Sequence, residues 1–298
     1  MEILNLPLSR STVDRAAHIR SDASALESAW QSASIIHFNG SEFFTRGTGL
    51  ALLKADQISG VGERIFLGER EGEFFFLWCS ETNIGVDEEY KTLREISSEL
   101  SNLEIGLAVH GQAVALWHHK SPYCGQCGLP TTPALGGSVR RCATEHELYP
   151  RTDPAIIVLV KDKDDRILLG RQGVWPEHRF STFAGFVEAG ESFEQCVVRE
   201  VFEEAGVAVA DIHYLGSQPW PFPQSLMIAF EATIQDPENA RADGEEIVEI
   251  RWFTRNDLYA AITEGTLLLP PSISVARAMI QAWYGADRPP LPGAETWR

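Results

Sequence analysis

The stretch from Gly185 to Val207, GFVEAGESFEQCVVREVFEEAGV, constrains this chain more than any other. Ser192 followed three residues later by Gln195 is a capping-box start and Gly206 a stop, so the pattern predicts a helix from about Phe193 to Ala205. At roughly 100° per residue, Glu200, Glu203 and Glu204 fall within an arc of about 100° on one face. Val198, Val201, Phe202 and Ala205 take the opposite arc and are expected to pin the helix to a core. Three carboxylates this close repel one another unless a cation neutralises them, and hard oxygen ligands on a rigid face suit Mg²⁺ or Mn²⁺. A solvated glutamate-rich face is the competing reading. It leaves the framing glycines, Glu191 in the preceding loop and Arg199 within a run of acids unexplained.

Gly185, five residues, Glu191, seven residues, Arg199-Glu200, an aliphatic, one residue, Glu203-Glu204, one residue, Gly206 and an aliphatic resemble the signature of the Nudix hydrolases without a departure. The resemblance implies an α/β (α+β) fold in which a mixed sheet is sandwiched between helices, a Nudix α/β/α sandwich. It also implies hydrolysis of a nucleoside diphosphate linked to another moiety.

Downstream stands Ser217-Gln218-Pro219-Trp220-Pro221-Phe222-Pro223-Gln224-Ser225. Alternate prolines cannot donate ladder hydrogen bonds, so the segment reads as a stiff, extended loop that presents an indole and a phenyl ring; a plain rigid connector is the alternative. Its wording is similar to the segment that sets the NADH pyrophosphatase branch of the family apart, with Gln224 at the variable position.

Cys124-Gly-Gln-Cys127 and, after a turn at Gly136-Gly137, Cys142 have zinc-ribbon spacing. The same branch often carries two pairs of cysteines here, and this chain departs from it. The residue three after Cys142 is Glu145, while His146 stands four after it. A Cys₃His zinc site is the leading reading; Glu145 as an oxygen ligand, a three-ligand site and a ribbon without metal remain open.

With 298 residues the chain is expected to form two domains and an insert. Its 25 basic and 42 acidic residues leave a net charge of −17, which argues against general attraction to nucleic acid or anionic membranes and leaves substrate phosphates to a metal and a few cations. Cys79 and Cys196 read as ordinary buried thiols, and clustered rather than spread cysteines favour a reducing compartment, hence a cytoplasmic enzyme. Residues 1–20 hold no signal h-region, no apolar run is long enough to span a bilayer, and the end, Trp297-Arg298, is not the peroxisomal tripeptide.

Along the chain, short apolar runs at Gly47–Lys54, Arg64–Gly68 and Glu73–Trp78 read as strands and Gly106–His118 as a helix, with His118 and His119 as helix-end residues rather than ligands. From Pro154 a buried strand and hairpin partner begin; strands near 207–216, 226–234 and 247–253 and helices near 255–263 and 272–284 follow. The expected divisions are an amino-terminal α+β, Nudix-like domain over 1–118, a zinc-ribbon-like insert over 119–150, a catalytic Nudix domain over 151–286 and a Pro-rich tail over 287–298. No internal repeat is visible in the sequence.

The resemblance further implies roles. Glu200, Glu203 and Glu204 hold the catalytic metal, Arg199 orients Glu191 and its neighbours, and Glu246 matches a further metal carboxylate, with Glu245 and Glu249 as rivals. Glu204 and Glu246 both stand as candidates for the general base. Phe186 and Tyr149 match positions that sandwich a flat base, where plain core packing is the alternative. Trp220, Gln218, Ser225, Met227, Ala276 and Ile157 shape the rest of the substrate pocket. The reaction implied is NAD(H) plus water to nicotinamide mononucleotide and AMP, with the NAD cap at an RNA 5′ end as a further substrate and a homodimer as the assembly. A broader hydrolase of ADP-ribose or FAD, and a non-catalytic nucleotide sensor, are the other readings; a sensor would have lost a metal carboxylate, and none is missing.

Overall fold

The computed structural model describes residues 4–84 and 89–292, which form two compact units. One comprises Met1–Pro7, Asp153–Gln218 and Ser225–Arg298; the other comprises Leu8–Thr152 and Pro219–Gln224. The division departs from the expected boundaries in three ways. The ribbon segment 119–150 belongs to the amino-terminal unit, the first residues group with the catalytic unit, and Pro219–Gln224 groups with the amino-terminal one. Of the expected tail, residues 293–298 lie outside the described residues.

The amino-terminal unit begins with α1 (Ala23–Ser32), capped by the Asp22 carboxylate, which accepts from the Ser24 and Ala25 N–H groups. Its strands are β1 (Ser34–Phe38), β2 (Phe43–Arg46), β3 (Gly49–Leu50), β4 (Leu52–Leu53), β5 (Glu63–Arg70), β6 (Glu73–Cys79) and β7 (Glu89–Lys91), followed by α2 (Leu93–Ile96) and α3 (Asn102–Lys120). They form a sheet of order β3-β2-β1-β6-β5, with β4 on β1 and β7 on β2. Strand alternation divides its core: Ile36 and Leu77 face the α3 side with Leu107 and Val114, whereas Ile35 and Phe76 face α1 with Ala29 and Trp30. The ribbon adds β8 (Thr131–Ala134), β9 (Val139–Cys142) and β10 (Glu147–Leu148) as a separate antiparallel sheet.

The catalytic unit holds β11 (Asp153–Lys161), β12 (Ile167–Gln172), β13 (Phe183–Phe186), α4 (Phe193–Ala205), β14 (Val209–Trp220), β15 (Ser225–Ile234), β16 (Ile247–Phe253), α5 (Arg255–Thr263) and α6 (Val275–Tyr284). Sheet order is β14-β15-β11-β12-β16 with β13 on β11, and the sheet is mixed because β11 and β15 run parallel. A central strand is buried on both faces, which is why β11 reads Ala-Ile-Ile-Val-Leu-Val rather than alternating. Ile156, Val158 and Val160 pack with Cys196, Val197 and Val201 of α4. Ile157 and Leu159 pack on the other face with Leu258 of α5 and Val275, Met279 and Ile280 of α6. That is the α/β/α sandwich.

One expectation is corrected. Ser217–Trp220 is not loop but the end of β14, an edge strand, where a proline is tolerated; only residues 221–224 turn. The sheet pairing also contains a repeat that residue spacing conceals and that agrees with the Nudix-like amino-terminal domain the resemblance implies. In the catalytic unit the first strand, β11, pairs antiparallel with β12 and β13 and parallel with β15, while β16 pairs β12 and β14 borders β15. In the amino-terminal unit β1 pairs antiparallel with β2 and β4 and parallel with β6, while β7 pairs β2 and β5 borders β6. The connectivity is the same strand for strand, with β3 additional. Between the third and fourth equivalent strands the catalytic unit has the 13-residue α4, and the amino-terminal unit has a single 3₁₀ turn, Ala55–Gln57.

Candidate active site and metal centres

Helix α4 starts and stops where its local signals place it. Ser192 accepts from the Gln195 N–H while Gln195 returns a bond to the Ser192 N–H, and Gly206 ends the helix at φ 69°. Its buried side is rotated from the expected one. Val198 and Phe202 are exposed, and the core seam is Cys196, Val197, Val201 and Ala205, with Glu204 among them. At about 100° per residue Glu204 falls near the middle of that seam, with Glu200 beside it. The carboxylates are therefore not on a face opposite the core; Glu204 lies within the buried seam and Glu200 beside it. Gly185, the first glycine of the pattern, lies on β13 beneath the helix, where an added Cβ would collide with the Glu200 carboxylate.

This placement decides the electrostatics. Glu204 is 3% exposed, and its Oε2 is buried with no hydrogen-bond partner. Burial, then the charges of Glu246 and Glu200, push its carboxyl up to about 9, against a single helpful bond from the Ala184 N–H. An orphaned carboxylate oxygen beside two further acids is an arrangement that a divalent cation would relieve, so the donor set fits Mg²⁺ or Mn²⁺. Glu200 is likewise raised, chiefly by burial, although Arg199 opposes the shift.

Arg199 organises the remainder. Its Nε and Nη2 donate to the two oxygens of Glu191, both at 2.9 Å, and Nη2 also donates to the Phe186 carbonyl at 3.0 Å. Nη1 donates to Glu200 at 2.7 Å and Glu203 at 3.0 Å. This fork holds Glu191 ionised, its carboxyl drawn down to about 2 by Arg199 and then by the Glu188 N–H. One guanidinium thus links the loop before α4, the end of β13 and two of the helix glutamates.

Among the three acids at the start of β16, the structure separates their surroundings. Glu246 accepts from Gln172 Nε2 at 2.7 Å and raises Glu204 and Glu200 through its charge. Glu249 is taken by Arg171 at 3.3 Å and Arg251 at 2.7 Å and held below its ordinary range. Glu245 is exposed. Gln172 and Asp243, whose charge also raises Glu204, escaped sequence reading because only the β12–β16 pairing brings that region together.

Of the residues expected around a base, Ile157, Met227 and Ala276 meet in the α6-side core. Phe186, Ala155 and Met227 are register partners across β13, β11 and β15, one row outward from Ala184, Ile157 and Ala229. Phe186 is 60% exposed, which removes plain core packing as its role. Ser225 is half-buried at the start of β15. Gln218 is fully buried, and its amide donates to the Ile273 carbonyl at 2.9 Å, just before α6. Tyr149 and Trp220 belong to the amino-terminal unit. The Tyr149 hydroxyl donates to Glu147 at 2.7 Å, while Trp220 stacks edge-on to Phe222 and packs on that unit's α3-side core.

In the ribbon the ligand atoms of Cys124, Cys127, Cys142 and His146 all lie within 4.8 Å of one another. Cys127 and Cys142 sulfurs are 3.7 Å apart, and Cys124 Sγ is 3.5 Å from His146 Nδ1. A tetrahedron with Zn–S of about 2.3 Å and Zn–N of about 2.0 Å has edges of about 3.8 and 3.5 Å, so the set fits zinc and is too open for a disulfide. Glu145 turns away at φ 64° and pairs with Arg141 at 3.6 Å. His118 is no ligand. It bonds Glu63 at 2.9 Å and the Gly137 carbonyl at 2.7 Å, beside Arg140, and so ties α3 and β5 to the ribbon turn.

Residues 151–270 match the family model of the NUDIX domain, and the likeness to a relative runs nearly end to end, so the chain belongs to the Nudix family. That relative is the NAD-capped RNA hydrolase NudC of Mycobacterium bovis (strain BCG / Pasteur 1173P2), 39% identical over 298 residues, covering 94% of this chain and 95% of that protein. The human NAD-capped RNA hydrolase NUDT12 is 37% identical over 198 residues, 62% of this chain and 43% of that protein. Among solved structures, a NUDIX hydrolase from Nitrosomonas europaea aligns with a TM-score of 0.39 at 22% identity, over 45% of this chain and 78% of that one.

Proposed function

We propose that this chain hydrolyses the pyrophosphate bond of NAD(H) to nicotinamide mononucleotide and AMP, and removes the same dinucleotide cap from RNA 5′ ends. The observation that carries the reading is the likeness to NAD-capped RNA hydrolase NudC over 95% of that protein's length, with every carboxylate of the Nudix pattern present. A nucleotide sensor has no use for a buried Glu204 whose Oε2 is left without a partner.

Glu200, Glu204 and Glu246, with Glu203 at the exposed edge, would hold Mg²⁺ or Mn²⁺. When bound, the cation neutralises the diphosphate and lowers the pKa of a coordinated water. Arg199 positions Glu191, Glu200 and Glu203 and fixes the end of β13 through the Phe186 carbonyl. Phe186 offers an exposed face for a base, in the same register row as Met227. Ile157 and Ala276 support that row. Gln218 acts by fixing the turn before α6 and Trp220 by anchoring the β14–β15 tip, with Ser225 following it. Zn²⁺ held by Cys124, Cys127, Cys142 and His146 staples the ribbon.

A homodimer is the assembly proposed and the cytoplasm the compartment; five free cysteines support the latter, and among the described residues no helix is long and apolar enough to cross a membrane. The reading is tested by product analysis after incubation with NADH, NAD⁺, ADP-ribose, FAD and NAD-capped RNA, each with Mg²⁺ and with Mn²⁺. Nicotinamide mononucleotide from NADH and a 5′-monophosphate RNA from the capped strand are expected. Equal or faster cleavage of ADP-ribose and FAD would reduce the assignment to a general nucleoside-diphosphate hydrolase.

A further inference from the structure

The amino-terminal unit repeats the catalytic connectivity without the metal helix, and the corresponding face carries the opposite charge. There α1 covers the sheet in place of α4, through Ala29 and Trp30 against Ile35, Phe66 and Phe76. Between α1 and the ribbon turn Pro133–Gly137 lies a cleft of about 410 Å³ lined by Arg20, Arg64 and Arg141, with Glu27 its one acid. On a chain of net charge −17, three guanidiniums around one cleft are a local reversal.

We propose that this cleft binds the phosphate backbone of single-stranded RNA directly, without a divalent metal and without reading sequence. The inference rests on capped RNA being a substrate. Arg64 lies over the Trp30 ring at 4.2 Å, which fixes its guanidinium plane at the cleft wall. Its partner Glu27 at 2.9 Å is 60% exposed, and of the partners of Arg141, Glu145 at 3.6 Å is exposed while Glu147 at 2.6 Å is half-buried. Such pairs are weak in water, so a phosphate displaces the carboxylate at little cost. Arg20 donates to the Arg15 carbonyl and forms no ion pair among the described residues. His110 nearby is driven down to about 3 by burial and then by the charges of Arg15 and Arg20. Trp30 itself is 3% exposed, and no ring is offered to stack a base. Guanidiniums spaced around a cleft with no stacking platform suit a strand's phosphates better than a free nucleotide.

The test is fluorescence anisotropy of a 5′-phosphorylated, uncapped single-stranded RNA of about 20 nucleotides with the full chain, in buffer without Mg²⁺ or Mn²⁺, across a salt series. Binding should weaken about three- to tenfold in Arg20→Glu and in Arg141→Gln, and the slope of log Kd against log salt should fall by about 0.7 for each lost contact. Hydrolysis of free NADH at the wild-type rate certifies that each variant is folded. No RNA binding by the wild type, or binding unchanged in both variants, overturns the proposal. So does displacement of the RNA by AMP at equal phosphate concentration, which would make the cleft a nucleotide site. The probe carries no cap, so a failure to hydrolyse NAD-capped RNA would count against the substrate reading alone.

Discussion

Replacing Glu204 by glutamine should stabilise this protein while abolishing its activity. The folded carboxyl titrates at about 9 against an ordinary 4.5, mainly through burial and then the charges of Glu246 and Glu200. Between those values the folded state keeps a proton that the unfolded state has released, so stability falls as pH rises through this window in the absence of metal. At about 1.4 kcal/mol per pH unit, going from pH 5 to pH 8 costs the wild type about 4 kcal/mol, an upper figure because the carboxylate can swing toward water. Glutamine keeps the shape and can accept from the Ala184 N–H, but has no charge to desolvate. Metal-free Glu204→Gln should therefore show an almost flat profile over that range, with a melting temperature exceeding the wild type's at pH 8 by on the order of 10 °C. Millimolar Mn²⁺ should reverse the ranking, since only the wild type supplies the full charge to the ion. The assay is thermal unfolding followed by tryptophan fluorescence, at pH 5 and pH 8, with and without Mn²⁺, alongside NADH turnover. Parallel pH profiles for the two proteins without metal, or equal stabilisation by Mn²⁺, would refute the assignment of Glu204 as the buried metal carboxylate.

Elemental analysis should find about one zinc per chain, lost in His146→Ala and kept in Glu145→Ala; normal stability with no zinc would mean that packing alone holds the ribbon. Phe186→Ala should lower kcat/KM for NADH roughly ten- to a hundredfold, the worth of one base stacked on a ring, while Mn²⁺ binding measured by calorimetry is retained. Arg199→Lys keeps the charge but not the fork, so kcat should fall at least tenfold with KM little changed; wild-type kcat would show that the Glu191 clamp is not needed.

Local signals were readable in the sequence wherever they decide local structure. The Ser192–Gln195 box and Gly206 bound α4 to the residue, and Cys142-x-x-x-His146 identified the fourth member of the thiolate cluster. What failed depended on neighbours distant in sequence. The seam of α4 could not be oriented, because Glu204 is buried by β13 and the region before β16 rather than by the helix's own pattern. Residues 217–220 passed for loop because prolines exclude a central strand and sequence alone does not say which strand is an edge. Helix α1 and strands β1 and β2 went unread; the repeated connectivity was implied only by the resemblance, as a Nudix-like amino-terminal domain, since pairing order leaves no trace in residue spacing.

That repetition makes the chain its own internal control. The same strand order occurs twice, once with α4 and once with a 3₁₀ turn in its place. Whatever both halves have in common belongs to the scaffold, and whatever only the carboxy-terminal half can do traces to thirteen helical residues, the turns that frame them and Glu246 just before β16. Hydrolysis here is a cassette laid on a sheet that is complete without it.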